Sequence, residues 1–330
     1  MVLPMEQVQS LHPGRFAAVG SVAVAAAVVT IIGVSIAPIA TFVLMISAFG
    51  LPHVIYELRY CDERFSSRTS PRLLSILGLL VGLIALGRVG NGTHWIPSDI
   101  FVPMELGLGA CLALVAAWHM RAHRWLGAAA GLAFAVGATL FPLETFLAWA
   151  WLHNLTPVGF VAEITKGEER RQWMMILFLP FVLLPGLVAT GVFHDAVAAI
   201  VSLPELQGMS MFGAGDQPLM SFLPPESYDL NLFSAAVVAQ SMHYVAVIVL
   251  LPRLLQARGE GRPSGALWRW PDWRSFAVIV AVVSVIALAL YAISYRDARS
   301  AYAVAAAIHA WIELPVLLMA LGQGFRPARI

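Results

Sequence analysis

Few residues of this sequence carry charge: only 12% of its 330 residues are Asp, Glu, Lys or Arg, whereas 59% are hydrophobic. Soluble domains are about a quarter charged and about half apolar, so this composition excludes an ordinary soluble domain. Apolar runs of about 20 residues, the length that crosses a hydrocarbon layer about 30 Å thick, recur from Phe16 to Gly322. The sequence therefore predicts an all-α, polytopic transmembrane helix bundle.

Cysteine and lysine are scarce as well. The two cysteines, Cys61 and Cys111, share no motif, which excludes a disulfide framework and predicts two free thiols. Lys166 is the only lysine, and the arginines are dispersed over short loops. A nucleic-acid-binding protein gathers its basic residues on one face, so we expect no nucleic-acid partner.

Ten apolar segments are long enough to be predicted as membrane spans, within a single transmembrane domain that covers residues 1–330. They lie at 16–35, 38–60, 72–88, 101–120, 124–140, 142–165, 173–193, 230–255, 274–295 and 299–322. The first run stays apolar as far as Gly50 without a cleavage site. We therefore interpret it as a retained helix and not as a signal peptide.

The basic residues predict how the chain is oriented. If the N-terminus is cytoplasmic, the ten spans place only Arg88, Arg296 and Arg299 outside, and the other basic residues fall on the cytoplasmic side. Such an excess is the rule for cytoplasmic loops. We therefore expect both termini in the cytoplasm and an integral protein of a bacterial cytoplasmic (inner) membrane.

Two long connections interrupt the apolar runs. Residues 194–229 form a predicted external segment, rich in proline and without a basic residue, and a loop of this length is often a lid or an entrance. A surface loop on the lipid headgroups is an equal alternative. Residues 256–273 form a predicted cytoplasmic loop in which arginines alternate with Trp268, Trp270 and Trp273. Such a loop is typical of an interfacial anchor.

Two pairs of a histidine and a glutamate lie inside apolar runs. His53 is followed four residues later by Glu57, and His309 by Glu313, so each pair occupies one helix face. Ionisable groups at membrane depth are expensive, and a functional role is the default hypothesis.

Two further histidines, His153 and His243, lie in other apolar runs, and the predicted topology sends all four histidine-bearing spans across the membrane in the same direction. A single membrane histidine is often only an interhelical contact. Four of them on separate helices, in spans that also carry two carboxylates, favour a common site.

The chemistry of these side chains predicts a metal centre. Imidazole and carboxylate together suit iron, manganese or zinc, and we found no thiol near the histidines that would favour a softer metal. We expect the metal ligands to be His53, His153, His243 and His309, together with Glu57 and Glu313, which are also the candidate catalytic residues. The carboxylates either bridge metal ions or orient a histidine. The centre can be mononuclear or dinuclear.

Other polar and aromatic residues receive supporting roles. Gln240, Asn154 and Tyr56 are candidate hydrogen-bond partners of the histidines. Glu105 and Glu144 lie at predicted outer helix ends, where we expect them to be solvated or to cap a helix. The aromatic residues that flank the histidines line an apolar pocket or face lipid; they are Trp149, Trp151, Tyr244 and Trp311.

The segment Gly50-Leu51-Pro52-His53 with its acid at Glu57 resembles the Gly-Leu-Pro-His motif of the Brp/Blh membrane carotenoid dioxygenases. The resemblance implies an all-helical membrane protein in which histidines from several helices hold iron for the cleavage of β-carotene. It implies that His53 is a ligand and that the run from His309 to Glu313 matches the family's C-terminal histidine and acid. The family has Asp where this chain has Glu57.

Three functions fit these residues. The first is a non-haem iron oxygenase that acts on an apolar lipid, isoprenoid or carotenoid-like substrate, with an electron donor as an optional partner. The second is a haem-binding electron-transfer protein with paired axial histidines, which leaves both glutamates without a role. The third is a proton-coupled transporter that uses the buried histidines and acids, although no internal repeat is evident.

Overall fold

The computed structural model describes residues 13–200, 229–257 and 266–322, and in these ranges the chain is helical without a strand. The all-α prediction is therefore confirmed for the described residues. The α-helices are α1 (Pro13–Ile36), α2 (Pro38–Met45), α3 (Leu51–Phe65), α4 (Pro71–Gly92), α5 (Ser98–His119), α6 (Arg124–Leu140), α7 (Pro142–His153), α8 (Thr156–Ile164), α9 (Gly167–Phe178), α10 (Leu184–Ala189), α11 (Val192–Ile200), α12 (Leu230–Val245), α13 (Leu251–Ala257), α14 (Trp273–Ile293) and α15 (Tyr295–Leu321).

Short segments of other helix types complete the chain. Ser66–Arg68 is a 3₁₀ turn, and three π-helical segments connect α2 to α3, α9 to α10 and α12 to α13. They are Ile46–Gly50, Leu179–Leu183 and Ala246–Leu250.

Seven of the described helices are long and apolar enough to cross a membrane, as an integral membrane protein requires. They are Pro38–Phe65, Pro71–Gly92, Ser98–His119, Gly167–Ala189, Leu230–Ala257, Trp273–Ile293 and Tyr295–Leu321. Two shorter apolar helices, Gly20–Ile36 and Arg124–Leu140, lie where the sequence predicts further spans. Large aliphatic side chains such as Val278 and Val285 are 64% and 68% exposed on α14, which is the surface that lipid would cover.

The helices form two compact units. Of the described residues, 13–42, 160–200 and 229–257 belong to the first unit, and 43–159 and 266–322 belong to the second. In the first unit, α12 packs against α1 and α10. In the second unit, α15 packs against α3, α4, α5 and α14, while α5 packs against α6. Helix α15 therefore lies in the core of the second unit.

Each π-helical segment ends two residues before a proline. The three prolines are Pro52, Pro185 and Pro252. Proline lacks a backbone N–H, and its ring clashes with the carbonyl four residues earlier. A local widening of the helix relieves this clash, and such widened turns are frequent near functional sites. The π-helical segment before Pro52 ends three residues before His53.

The helix that the sequence predicts over 142–165 is broken. Helix α7 ends at His153, and α8 begins at Thr156. Pro157 cannot donate to the carbonyl of His153, which accepts a hydrogen bond from the Thr156 hydroxyl instead, at 2.8 Å. The break makes His153 the last residue of α7.

The two predicted loops are described only in part. Residues 194–200 are helical in α11, and 201–228 lie outside the described residues. Of the predicted loop at 256–273, residues 256–257 are helical in α13, Trp273 begins α14, and 258–265 lie outside the described residues. Asp62 binds the segment 266–272. The Asp62 carboxylate accepts from the backbone N–H of Leu267 at 2.8 Å and of Trp268 at 3.0 Å, and from the indole of Trp270 at 2.8 Å.

Candidate metal centre

The first pair of predicted ligands lies on α3. His53 is 2% exposed and Glu57, one turn later, is fully buried. The Nδ1 atom of His53 lies 3.2 Å from the backbone oxygen of Phe49, in the π-helical segment. A carbonyl only accepts hydrogen bonds, so Nδ1 carries the proton and Nε2 presents its lone pair. The local helix therefore selects a tautomer that can bind a metal.

The second pair lies on α15 and repeats this arrangement. His309 is 2% exposed, Glu313 is fully buried, and the Nδ1 atom of His309 lies 3.3 Å from the backbone oxygen of Ala305. The same argument places the proton of His309 on Nδ1 and leaves Nε2 as the donor atom toward a metal.

His153 enters from the end of α7. Its side chain is 13% exposed, and its Nδ1 atom lies 3.0 Å from Oε2 of Glu313. A carboxylate partner on the outer nitrogen of a metal-bound histidine is the usual arrangement, because it fixes the tautomer and the ring orientation. Glu313 on α15 thus orients His153 on α7. It does not orient His309, which precedes it by one turn on its own helix.

The three histidines converge through their Nε2 atoms. Nε2 of His309 lies 3.2 Å from Nε2 of His53 and 3.0 Å from Nε2 of His153. Oε2 of Glu57 lies 3.6 Å from the same nitrogen of His309. One donor atom from each of His53, Glu57, His153 and His309 lies within 4.8 Å of every other. These four residues could hold a metal ion.

The protonation of the rings supports a cation between them. The Nδ1 atoms of His53 and His309 face backbone oxygens, and that of His153 faces the Glu313 carboxylate. Neutral rings therefore direct the Nε2 lone pairs of His53 and His153 at Nε2 of His309 across 3.2 and 3.0 Å. Such a cluster of acceptors is repulsive unless a cation or added protons lie between them. The buried carboxylates of Glu57 and Glu313 increase the negative potential at the same place.

The nitrogen separations also fit a metal ion. Two nitrogens that lie about 2.1 Å from one ion with an angle of about 90° between them are about 3.0 Å apart. The observed 3.0 and 3.2 Å correspond to angles of about 90° to 100° at that bond length, which is the spacing of adjacent positions in octahedral coordination.

No protein-family model, curated protein or solved structure matches this chain. The resemblance to the Brp/Blh family therefore stays a prediction.

His243, the fourth predicted histidine ligand, lies on α12 in the first unit, where its imidazole is fully buried. Whether it binds the same metal as the other three stays a prediction. The candidate hydrogen-bond partners are engaged elsewhere: Gln240 donates to the hydroxyl of Tyr244, Asn154 donates to the backbone oxygen of Ala150, and Tyr56 packs on Phe276.

Two residues near the centre were missed or misjudged from the sequence. Thr156, at the break after α7, is buried and interacts with Glu313. Cys61 lies one turn after Glu57 and interacts electrostatically with both carboxylates, so a thiol does lie near the centre. Its spacing of four residues from Glu57 was the available signal.

The expectation for Glu105 is wrong. Glu105 is fully buried, and its Oε1 atom accepts from the Arg88 guanidinium at 2.8 Å and from the Trp311 indole at 2.7 Å. An apolar run with one acid near its end looks the same in sequence whether the acid is solvated or paired. Only the opposite charge of Arg88, seventeen residues earlier, offered a signal. Glu144, by contrast, is exposed in the first turn of α7, as expected.

Proposed function

We propose that this protein is an integral-membrane non-haem iron oxygenase that acts on an apolar lipid, isoprenoid or carotenoid-like substrate. The observation that carries the proposal is that Nε2 of His309 lies 3.2 Å from Nε2 of His53 and 3.0 Å from Nε2 of His153, with the Glu57 carboxylate 3.6 Å away. Histidine and carboxylate ligands that leave open positions are the donor set of non-haem iron enzymes that activate oxygen.

The protein's own residues have separate tasks in this centre. His53, His153 and His309 bind the iron through Nε2, and Glu57 adds a charged oxygen donor. Glu313 lies 3.0 Å from Nδ1 of His153 and so favours the tautomer of that ring that binds metal through Nε2. The bound iron supplies the capacity to bind and activate O₂. These donors serve a mononuclear site.

The distances favour a non-haem centre over a haem. Two axial histidines hold a haem iron from opposite sides, so their nitrogens are separated by about twice the bond length of about 2.0 to 2.1 Å, or about 4 Å. Here the nitrogens are 3.0 and 3.2 Å apart. A third imidazole and a carboxylate at the same point also occupy the space that a porphyrin ring requires.

The membrane setting supports an apolar substrate. The histidines lie on or beside helices long enough to cross a bilayer, and α14 of the same unit presents exposed aliphatic side chains. A substrate dissolved in lipid reaches such helices laterally. The ten predicted spans, the cytoplasmic termini and the bacterial cytoplasmic membrane belong to this proposal, as does cleavage of a carotenoid-like molecule by analogy with the Brp/Blh motif.

Metal analysis of the purified protein tests the proposal. The chain is purified anaerobically in detergent, its metals are quantified, and its visible spectrum is recorded. We expect one iron per chain, no Soret band, and oxygen consumption that depends on an added apolar polyene. The matched control is a variant in which His53 and His309 are both replaced by alanine, which loses the iron and the oxygen consumption.

Each alternative has a distinct signature in the same experiment. A Soret band that follows the protein through purification identifies a haem protein and overturns the proposal. A protein that binds no metal after incubation with Fe²⁺ also overturns it. In that case proton flux in vesicles becomes the relevant measurement for the transporter alternative.

A further inference from the structure

Trp311 lies on α15 midway between His309 and Glu313. Two residues correspond to about 200° around a helix, so its side chain leaves α15 on the side opposite the metal centre. It is 1% exposed, and its indole N–H donates to Oε1 of Glu105 at 2.7 Å. The back of the metal-binding helix is therefore fixed by a directional hydrogen bond to α5.

Glu105 is itself held in place by Arg88. The guanidinium of Arg88 donates to the same Oε1 atom at 2.8 Å and lies over the rings of Phe101 and Phe146, 5.1 and 5.0 Å from their centroids. Glu105 thus receives two donors on one oxygen. A charged hydrogen bond is about twice as strong as a neutral one, so the acceptor for the Trp311 indole is rigid.

The ring of Trp311 occupies the space that any side chain on residue 109 would need, so this position requires glycine. A Cβ atom on Gly109 would lie 2.2 Å from the Trp311 ring, so the indole rests directly on the α5 backbone. On its other side the ring stacks on Trp149, with centroids 5.0 Å apart and planes at 26°. Trp149 lies one turn before His153 on α7. The Trp311 side chain therefore packs α15 against both α5 and α7, and α7 is the helix that carries His153.

We propose that Glu105 is a positioning residue of the metal centre, acting with Arg88 and Gly109 through Trp311. The contacts fix the rotation of α15 about its axis, and with it the direction in which His309 presents Nε2. This inference rests on the proposed metal-binding function. It assigns a role to a buried ion pair that touches none of the histidines.

Metal binding is sensitive to such a rotation. Side-chain atoms lie about 5 to 6 Å from a helix axis, so turning α15 by 10° moves the His309 nitrogen by about 1 Å. Functional constellations tolerate errors of about 0.5 Å. A change behind the helix is therefore expected to alter both the affinity for the metal and the geometry of its coordination.

Cobalt binding to three variants tests the inference. Glu105→Gln removes the charge that holds Arg88 and Trp311, and Gly109→Ala forces the indole out of its slot. The control is Gly107→Ala on the same helix, where a Cβ atom meets nothing within 4 Å. For each full-length protein the measurements are the Kd of Co²⁺, the visible spectrum of the bound Co²⁺, and the melting temperature without metal.

We expect Glu105→Gln to raise the Kd about 10- to 100-fold, the range found for groups that orient metal ligands, and to change the cobalt spectrum. Gly109→Ala changes both in the same direction, whereas Gly107→Ala leaves the Kd within about twofold of the parent. Trp311→Phe keeps most of the ring and loses the N–H through which Glu105 acts, so it gives a shift of the same kind that is at least as large as that of Glu105→Gln.

Several outcomes overturn the inference. If Glu105→Gln lowers the melting temperature but leaves the Kd and the cobalt spectrum unchanged, Glu105 is only a structural residue. If Gly107→Ala weakens binding as much as Gly109→Ala, the effect does not run through Trp311. If the parent protein binds no Co²⁺ and no Fe²⁺, the proposed function fails and this inference fails with it. Should Gly109→Ala not fold, Glu105→Gln and Trp311→Phe decide the question.

Discussion

The two His-x-x-x-Glu pairs have the same spacing and different surroundings. Glu57 on α3 lies 3.6 Å from Nε2 of His309, on the side where the histidine lone pairs converge. Glu313 on α15 lies 3.0 Å from Nδ1 of His153, on the far side of that ring. One carboxylate therefore faces the metal position, and the other supports a histidine from behind.

The difference shows what determines the role of each acid. A spacing of four residues only places a histidine and an acid on one helix face. Which nitrogen the acid meets depends on the neighbouring helix, and here the break after His153 brings the Nδ1 atom of that ring to Glu313. The following substitutions test the contrast between the two pairs.

The largest expected effect is that of His309→Ala. Nε2 of His309 lies within 3.2 Å of Nε2 of both His53 and His153, so its loss removes a donor that contacts the other two. We expect metal affinity to fall more than about 100-fold, beyond the range for supporting residues. Equilibrium dialysis with Fe²⁺ measures this. The control is His119→Ala, which replaces an exposed histidine, and an equal loss in that variant would contradict the assignment.

Glu57→Gln is expected to have the next largest effect. The substitution keeps the size of the side chain and removes the charged oxygen that faces the metal position. Loss of an anionic ligand lowers affinity for hard divalent ions more than for softer ones. Dissociation constants for Mn²⁺ and Zn²⁺ are compared in parent and variant, and we expect the Mn²⁺ value to rise more. Equal changes for both ions would show that Glu57 does not bind the metal.

Glu313→Gln is expected to weaken binding by about tenfold, the lower end of the range for groups that orient a ligand. Its amide oxygen can still accept the Nδ1 proton of His153, so the tautomer is retained. Glu313→Ala, which removes the acceptor, should approach about 100-fold. Titration with Co²⁺ distinguishes the two variants. A Glu313→Gln protein that binds as weakly as Glu57→Gln would remove the contrast between the two pairs.

Cys61→Ser should have the smallest effect. The thiol interacts with both carboxylates. Cys61 lies one turn after Glu57 on α3 and two turns after His53. We expect iron content per chain to be unchanged, measured by elemental analysis beside the parent protein. A loss of iron in this variant would make Cys61 a ligand and favour a softer metal.

Much of the helical framework follows from sequence because the bilayer limits the choices. Apolar runs, prolines and basic loops predict where α4, α5, α14 and α15 lie within a few residues. The histidine set could be singled out for the same reason, since an ionisable side chain in an apolar run stands out. His53, His153 and His309 do lie together in the structure.

The sequence could not assign the partners across helices. Nothing local distinguishes Glu105, which is buried with Arg88, from an acid at a solvated helix end. The role of Glu313 depends on His153, 160 residues earlier. Pro157 signalled a bend, but the break that it produces decides which way His153 points, and that depends on packing.

The π-helical segment at Ile46–Gly50 makes this helix tolerant of a change in chain length. A π turn contains an extra residue relative to an α turn, so a single-residue deletion between 46 and 50 can restore regular α-helix. Because the π turn takes up its extra residue within about one turn, the deletion leaves the residues before the segment facing nearly the same way relative to His53 and Glu57, and those two keep their mutual spacing. This part of the chain can therefore gain or lose one residue without redirecting the helix face that carries the proposed metal ligands.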